Sequence, residues 1–244
     1  MNDNKTAIVT GASRGIGAAI AIRLSQNGYN VIVNYARSAK EAEQVVTQIR
    51  STGGQAQAVQ ADVSSSADVS QLFDQAEQHF GAIDVLVNNA GVLGLSSIAE
   101  VSEDTIHQHV DINLKGVMFC SQQGVNRLRD GGHIVNLSTS VVGLKLENYA
   151  VYAATKAGVE TFSAIMAKEL RGRDITVNTV APGPTETDLF MQGKSEELVE
   201  KLRKMPPLER LGQPDEIAAV VAFLCSPDGR WVNGQVIRAN GGIV

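Results

Sequence analysis

Cysteine and histidine are scarce in this sequence, and the scarcity removes whole classes of chemistry. Only two cysteines, Cys120 and Cys225, stand among 244 residues. They form no CxxC pair, so a disulfide-rich scaffold and a thiolate metal site are excluded, and a reducing compartment is expected. The four histidines are His79, His107, His109 and His133. His107 and His109 are two apart on a helical stretch and point in different directions, and no HExxH occurs, so no metal site is expected. Long apolar runs are missing as well. No eighteen apolar residues follow one another, and residues 1–5 carry neither an apolar signal core nor a cleavage site. The expectation is a cytoplasmic protein with no membrane partner. An excess of positive charge is also absent: the net charge is -5, which argues against nucleic acid as a partner.

What is present is an even alternation. A chain of 244 residues suits one large α/β domain, and no repeat, linker or low-complexity tract divides it. Short β-branched runs at 6–10, 30–34, 57–61, 83–88, 133–138, 175–180 and 235–238 predict strands. Amphipathic stretches near 15–27, 39–51, 67–79, 103–128, 150–171 and 214–225 predict helices between them. Such alternation predicts a Rossmann-type doubly wound parallel sheet of about seven strands, with helices on both faces, in one domain over 1–244. Runs such as Ala7-Ile8-Val9 and Val85-Leu86-Val87 suit strands covered on both sides. In such sheets ligands bind beyond the carboxyl ends of the strands, so motifs there matter most.

The first of these motifs is Thr10-Gly11-Ala12-Ser13-Arg14-Gly15-Ile16-Gly17, between the first strand and the first helix. Glycine lets backbone approach a pyrophosphate, and a helix N-terminus offers free N–H groups and a favourable dipole. Gly11, Ser13, Arg14, Gly15, Ile16 and Gly17 are therefore candidate dinucleotide contacts, although the spacing is GxxxGxG rather than GxGxxG. The surrounding charge selects the dinucleotide. No acidic residue occurs between Asp3 and Glu41, where an NAD enzyme places a carboxylate for the ribose 2′-hydroxyl. The second strand instead ends in Asn34-Tyr35-Ala36-Arg37-Ser38. Arg37 and Arg14 suit a 2′-phosphate through charge-assisted hydrogen bonds, so NADPH is expected, with Asn34, Tyr35 and Ser38 beside it. The same turn also matches the GxSxG nucleophile elbow of hydrolases. That mechanism needs a histidine downstream of its acid, yet every histidine lies at or before His133, which disfavours a serine hydrolase.

The second motif is Tyr152-Ala153-Ala154-Thr155-Lys156, at the start of a helical pattern. Residues four apart share a helix face, so phenol and ammonium look into one space. Together with the first turn, it resembles the short-chain dehydrogenase/reductase family. The resemblance runs through Ala61-Asp62-Val63, Asn88-Asn89-Ala90-Gly91, Asp111-Ile112-Asn113-Leu114-Lys115-Gly116, Val180-Ala181-Pro182-Gly183 and Asn233-Gly234-Gln235. It covers nearly the whole chain. One departure is Asn240, in Ala239-Asn240-Gly241-Gly242, where the family usually has Asp-Gly-Gly; it is expected to lie away from the chemistry.

The resemblance implies an NADPH-dependent oxidoreductase acting between nicotinamide and a ketone or secondary alcohol, with a 3-oxoacyl thioester as one substrate class. Tyr152 would be the general acid. Lys156 would depress the phenol pKa and grip the nicotinamide ribose, and Asn113 would hold a water in a proton relay to Lys156. Asp62, Val63, Asn89, Ala90, Gly91, Pro182, Gly183, Thr185 and Thr187 would join Tyr152 and Lys156 around the cofactor. The carbonyl-binding hydroxyl falls in Ser138-Thr139-Ser140. The common spacing of thirteen before the tyrosine lands on Thr139, while the spacing of fourteen found in hydroxynaphthalene reductases lands on Ser138. Alternation along a strand puts Ser138 and Ser140 on one face, and Ser138 is preferred, with Ser140 second.

Segments 92–96, 144–149 and 184–205 should wall a largely apolar substrate pocket, the last as a lid near Gly193. Lys145 and Lys194 are candidate anchors for an acidic substrate. Arg127, Arg129, Arg171 and Arg173, at helix ends, make an acyl carrier protein a candidate partner, although the helix dipole favours cations there in any case. Small residues Ala153, Ala157 and Gly158 suggest subunit packing, and the family resemblance implies a homodimer or homotetramer. Two other readings stand beside the reductase: a dinucleotide-binding regulator without turnover, and a sugar, polyol or other alcohol dehydrogenase of the same family.

Overall fold

Seven short apolar runs become seven strands: β1 (Thr6–Val9), β2 (Asn30–Tyr35), β3 (Ala56–Gln60), β4 (Ile83–Asn88), β5 (Leu128–Leu137), β6 (Thr176–Pro182) and β7 (Val236–Ala239). In the computed structural model, which describes residues 5–244, they form one sheet in the order β3-β2-β1-β4-β5-β6-β7. Every pairing is parallel. The chain order reverses between β1 and β4, which opens a crevice at their carboxyl ends.

The helices lie on both faces, because side chains along each strand alternate between two cores. Ala7 and Val9 of β1 face a core built with α1 (Gly15–Gln26), α2 (Ala39–Ser51) and α10 (Pro214–Leu224). Ile8, between them, joins the opposite core with α3 (Ser66–Phe80), α5 (Gly116–Arg127) and α7 (Ala150–Glu169). Ile8, Leu24, Phe73 and Leu86 are wholly buried, each such side chain stabilising the fold by about 1.5–3 kcal/mol. Ser65 caps α3 by accepting the Asp68 N–H, one reason that helix starts where it does.

Two elements differ from expectation. The stretch at 103–128 is not one regular helix. It comprises α4 (Glu103–His109), a π-helical turn (Val110–Lys115) and α5, and Asn113 sits in the widened turn. Strand β5 begins at Leu128 rather than 133. Asp130-Gly131-Gly132 interrupts the apolar pattern, but the register between β4 and β5 shifts there and the strand continues. A Cβ on Gly132 would lie 2.6 Å from the Asp84 carbonyl oxygen, so only glycine fits the irregularity. Short helices α6 (Val141–Leu144), α8 (Asp188–Met191) and α9 (Glu196–Lys204) occupy the segments beyond β5 and β6. No helix among the described residues is long and apolar enough to cross a membrane.

Candidate active site

A cavity of about 450 Å³ opens at the carboxyl ends of the central strands. It gathers segments separated by more than two hundred residues, from Gly11 to Ile243. Every residue proposed from the sequence for catalysis or cofactor binding lines it except Asn113, which is fully buried; Lys145 and Lys194, the candidate anchors, do not line it.

At one end lies the glycine turn. Gly11 and Gly15 adopt φ of 60° and 55°, and a Cβ on Gly11 would come within 2.8 Å of Ala90 Cα. A Cβ on Gly17 would lie 2.4 Å from the Asn89 Nδ2, so α1 begins packed against the end of β4. Asn34 and Asn89 support this turn with their side chains. Asn34 Oδ1 accepts the Gly11 N–H, while its Nδ2 donates to the Val59 and Ala61 carbonyls. Asn89 Nδ2 donates to the carbonyls of Thr10 and Gly11. Both therefore act on a ligand through the loop they hold. No side chain caps the N-terminus of α1, and its first turn holds no acidic residue. Exposed Arg14 and Arg37 flank that end, neither in an ion pair among the described residues. Glycine backbone, helix dipole and two available guanidinium groups fit a pyrophosphate with a 2′-phosphate.

The other end carries the acid–base groups. Tyr152 and Lys156 both line the cavity from the first turns of α7. Lys156 is buried, and its Nζ donates to the Leu137 carbonyl at 2.8 Å. Burial lowers the Lys156 ammonium to about 8. Burial also raises the Tyr152 phenol to about 12, a hydrogen bond with Thr139 opposing the rise and neighbouring Tyr149 adding to it. Lys156 is not among the causes of the phenol's shift, which burial dominates, and the phenol keeps its proton at neutral pH.

Ser138, preferred from the sequence, and Thr139 both line the cavity, but their hydroxyls have different partners. Ser138 Oγ donates to Glu160 Oε1 at 2.6 Å, about two helical turns along α7 from Tyr152. Ser140 Oγ donates to the Ala181 carbonyl at 3.2 Å. Thr139 is the residue whose hydroxyl meets the phenol. Strand β5 ends at Leu137, so residues 138–140 lie beyond it and the alternation expected of an extended strand does not decide between them. Asn113 Oδ1 accepts the Val92 N–H at 2.8 Å, and its Nδ2 donates to the Val92 carbonyl at 2.9 Å. Its side chain thus holds the segment after β4, and a Cβ on Gly91 would lie 3.1 Å from Asn113 Oδ1 and 3.6 Å from Lys156 Nζ. His109, passed over in the sequence, holds the same segment. Its Nε2 accepts the Gly94 N–H at 3.0 Å, its Nδ1 pairs with the Thr105 carbonyl, and its ring meets Tyr152 edge-on at 6.2 Å.

Leu93, Leu144, Leu146, Tyr149, Leu189, Phe190, Leu202 and Met205, all within the segments expected to wall the pocket, line the cavity, and Gln108 and Ile243 join them unforeseen. Lys194 is no free anchor, since its Nζ donates to the Phe190 carbonyl and lies over that ring. The arginines read as a carrier-docking patch are largely committed elsewhere. Arg127 pairs with Asp74 and Glu77, Arg129 with Asp84, and Arg173 with Asp130. Gly158 packs within the chain, where a Cβ would lie 3.2 Å from Leu114.

A family model described as enoyl-(acyl carrier protein) reductase matches residues 11–244. The chain belongs to the short-chain dehydrogenase/reductase family. Within it, the chain is 44% identical to NADPH-dependent aldehyde reductase 2, chloroplastic, of Arabidopsis thaliana, over 98% of this chain and 93% of that one. A short-chain dehydrogenase of Burkholderia cenocepacia in complex with NADP superposes with a TM-score of 0.93 at 36% identity, covering 98% of both chains. The angucycline C-6 ketoreductase LanV with bound NADP gives 0.93 at 37% identity, covering 98% of this chain and 95% of that one. Such likeness across whole chains makes this protein an oxidoreductase of the short-chain family.

Proposed function

We propose that this short-chain dehydrogenase/reductase is an NADPH-dependent carbonyl reductase in which Thr139, rather than Ser138, holds the substrate oxygen beside Tyr152. The observation that carries the reading is the triangle of Thr139, Tyr152 and Lys156 at the far end of a cavity whose near end suits an NADP phosphate. The glycine turn with Arg14 and Arg37 would hold NADPH, which would supply the hydride for the carbonyl carbon. The chain's own residues manage the oxygen. Thr139 and Tyr152 line the same cavity and interact through their side chains, and a substrate carbonyl oxygen would accept from both hydroxyls. Because Tyr152 keeps its proton at neutral pH, it is ready to donate it as negative charge grows on that oxygen. Lys156, at about 8, carries charge over much of the neutral range and so would stabilise the phenolate left behind until solvent returns its proton. Asn113 keeps the Val92 backbone fixed beside that amine.

The apolar walls favour a hydrophobic ketone over a sugar or polyol, and the committed arginines favour a free ketone over a carrier-tethered 3-oxoacyl group. The segment 184–205, with Gly193 at φ 73°, is the lid over this pocket. Exposed Met118 on α5 and Ile165 on α7 suit burial in a homodimer or homotetramer, which light scattering would reveal. Free, buried Cys120 and Cys225 suit the cytoplasm.

The test is NADPH oxidation with a panel of aromatic ketones in three proteins. Thr139→Ala should lose about ten- to a hundredfold in kcat/KM, as expected for a hydrogen bond to a charged transition state, and Ser138→Ala only a few-fold. A larger loss at Ser138 would reverse the assignment, and no turnover by the unaltered protein would remove the reductase.

A further inference from the structure

Asn240, the departure from the family's Asp-Gly-Gly, does not lie away from the chemistry. Its Nδ2 donates to Ser140 Oγ at 2.9 Å and to the Val244 carbonyl oxygen at 3.2 Å, while its Oδ1 accepts the Gly242 N–H at 3.0 Å. Ser140 follows Thr139 directly and spends its own hydrogen on the Ala181 carbonyl, so it offers Asn240 a lone pair. Gly241 and Gly242 adopt φ of 67° and 87°. These left-handed residues fold the chain back, so that Ile243 enters the cavity wall. Val244 then rests on α6, where a Cβ on Gly143 would lie 2.6 Å from Val244 Cγ2. On its opposite side the same segment meets the chain just beyond α9. A Cβ on Gly241 would lie 3.0 Å from Pro206 Cβ, and one on Gly242 3.3 Å from Pro207 Cγ. Met205, immediately before these prolines, lines the cavity.

We propose that Asn240 is a positioning residue for substrate size: it staples segment 240–244 between the strand end carrying Thr139 and the exit of the 184–205 excursion, and so holds Ile243 as the wall that large ketones pack against. The inference rests on the reading of this cavity as a ketone site. Its chemical basis is that one carboxamide donates twice and accepts once. A carboxylate at the same position keeps the acceptor for Gly242 but has no hydrogen for the Val244 carbonyl. It satisfies Ser140 only if that hydroxyl abandons Ala181. The substitution to the family's usual residue therefore loosens the tail while changing almost no volume. In this reading a two-ring ketone extends from Thr139 and Tyr152 to bury apolar surface against Ile243, and a small ketone gains less from that wall.

The experiment compares the unaltered protein, Asn240→Asp and Ile243→Ala, with acetone and a two-ring aromatic ketone as substrates and NADPH binding followed by fluorescence. Asn240→Asp should raise KM for the two-ring ketone about tenfold, the effect of roughly one or two lost hydrogen bonds, with kcat nearly unchanged. The kcat/KM for acetone and the NADPH affinity should stay within about twofold, less than one net hydrogen bond. Ile243→Ala, which leaves the staple intact, should shift the ratio between the two ketones in the same direction. Parallel losses on both ketones, or an unchanged ratio in both variants, would overturn the staple. A protein that binds NADPH but reduces neither ketone before any substitution would instead overturn the reductase reading.

Discussion

The two ends of the cavity are built on different principles. At the glycine turn Asn34, Asn89 and Thr10 hold the backbone in place, and Arg14 and Arg37 stand at its edge. A turn of this kind tolerates no Cβ at Gly11 or Gly17, and its function is local to a few consecutive residues. At the substrate end the contacts are side chains contributed by five separated segments, and several are satisfied by one another: Thr139 with Tyr152, Asn240 with Ser140, His109 with Gly94. The first end is rigid and addresses a constant ligand. The second is a set of exchangeable walls around a fixed acid, which is how one scaffold serves many ketones.

The contrast can be broken most forcefully at the acid. Tyr152→Phe should lower kcat/KM by about 10²–10⁴-fold, the usual worth of a positioned general acid, while NADPH affinity barely moves; stopped-flow turnover and fluorescence titration measure the two separately. A variant that lost both together would mean the two ends are not independent. Next in size is the cofactor end. Arg37→Ala should raise KM for NADPH about tenfold, through loss of a charge-assisted contact, and leave NADH utilisation and ketone KM unchanged. The smallest effect concerns stability. Burial lowers Lys156 from 10.5 to about 8, so the cost of burying its charge is absent above pH 10.5 and complete below pH 8. Lys156→Met should therefore gain thermal stability over the unaltered protein as pH falls through that window, by at most about 3 kcal/mol, although it abolishes turnover. A melting series from pH 11 to 6 checks the sign.

The strands, the glycine turn and the Tyr152–Lys156 pair were legible in the residues because each depends on near neighbours. Period-two burial marks a strand, glycines mark a strand-to-helix turn, and four-residue spacing marks one helix face. The choice between Ser138 and Thr139 was not, since it depends on where α7 lies above the end of β5. Nor was the fate of the arginines. Arg127, Arg129 and Arg173 read as a surface patch until Asp74, Glu77, Asp84 and Asp130 are brought beside them by the packing of α3, α5 and β4 around β5. The pKa of Tyr152 was not legible for the same reason, because spacing places two groups together but says nothing of the water removed from both.

Local order along the chain was thus enough to establish a doubly wound parallel sheet, a dinucleotide turn with a phosphate-binding charge pattern, and a phenol–amine pair at the head of a helix. Only the folded chain decided which hydroxyl meets that phenol, how far burial moves both pKa values, and that Asn240 returns to the strand end a hundred residues before it. Propensity and periodicity are carried by adjacent residues. Desolvation and hydrogen-bond partnership arise only where distant segments meet.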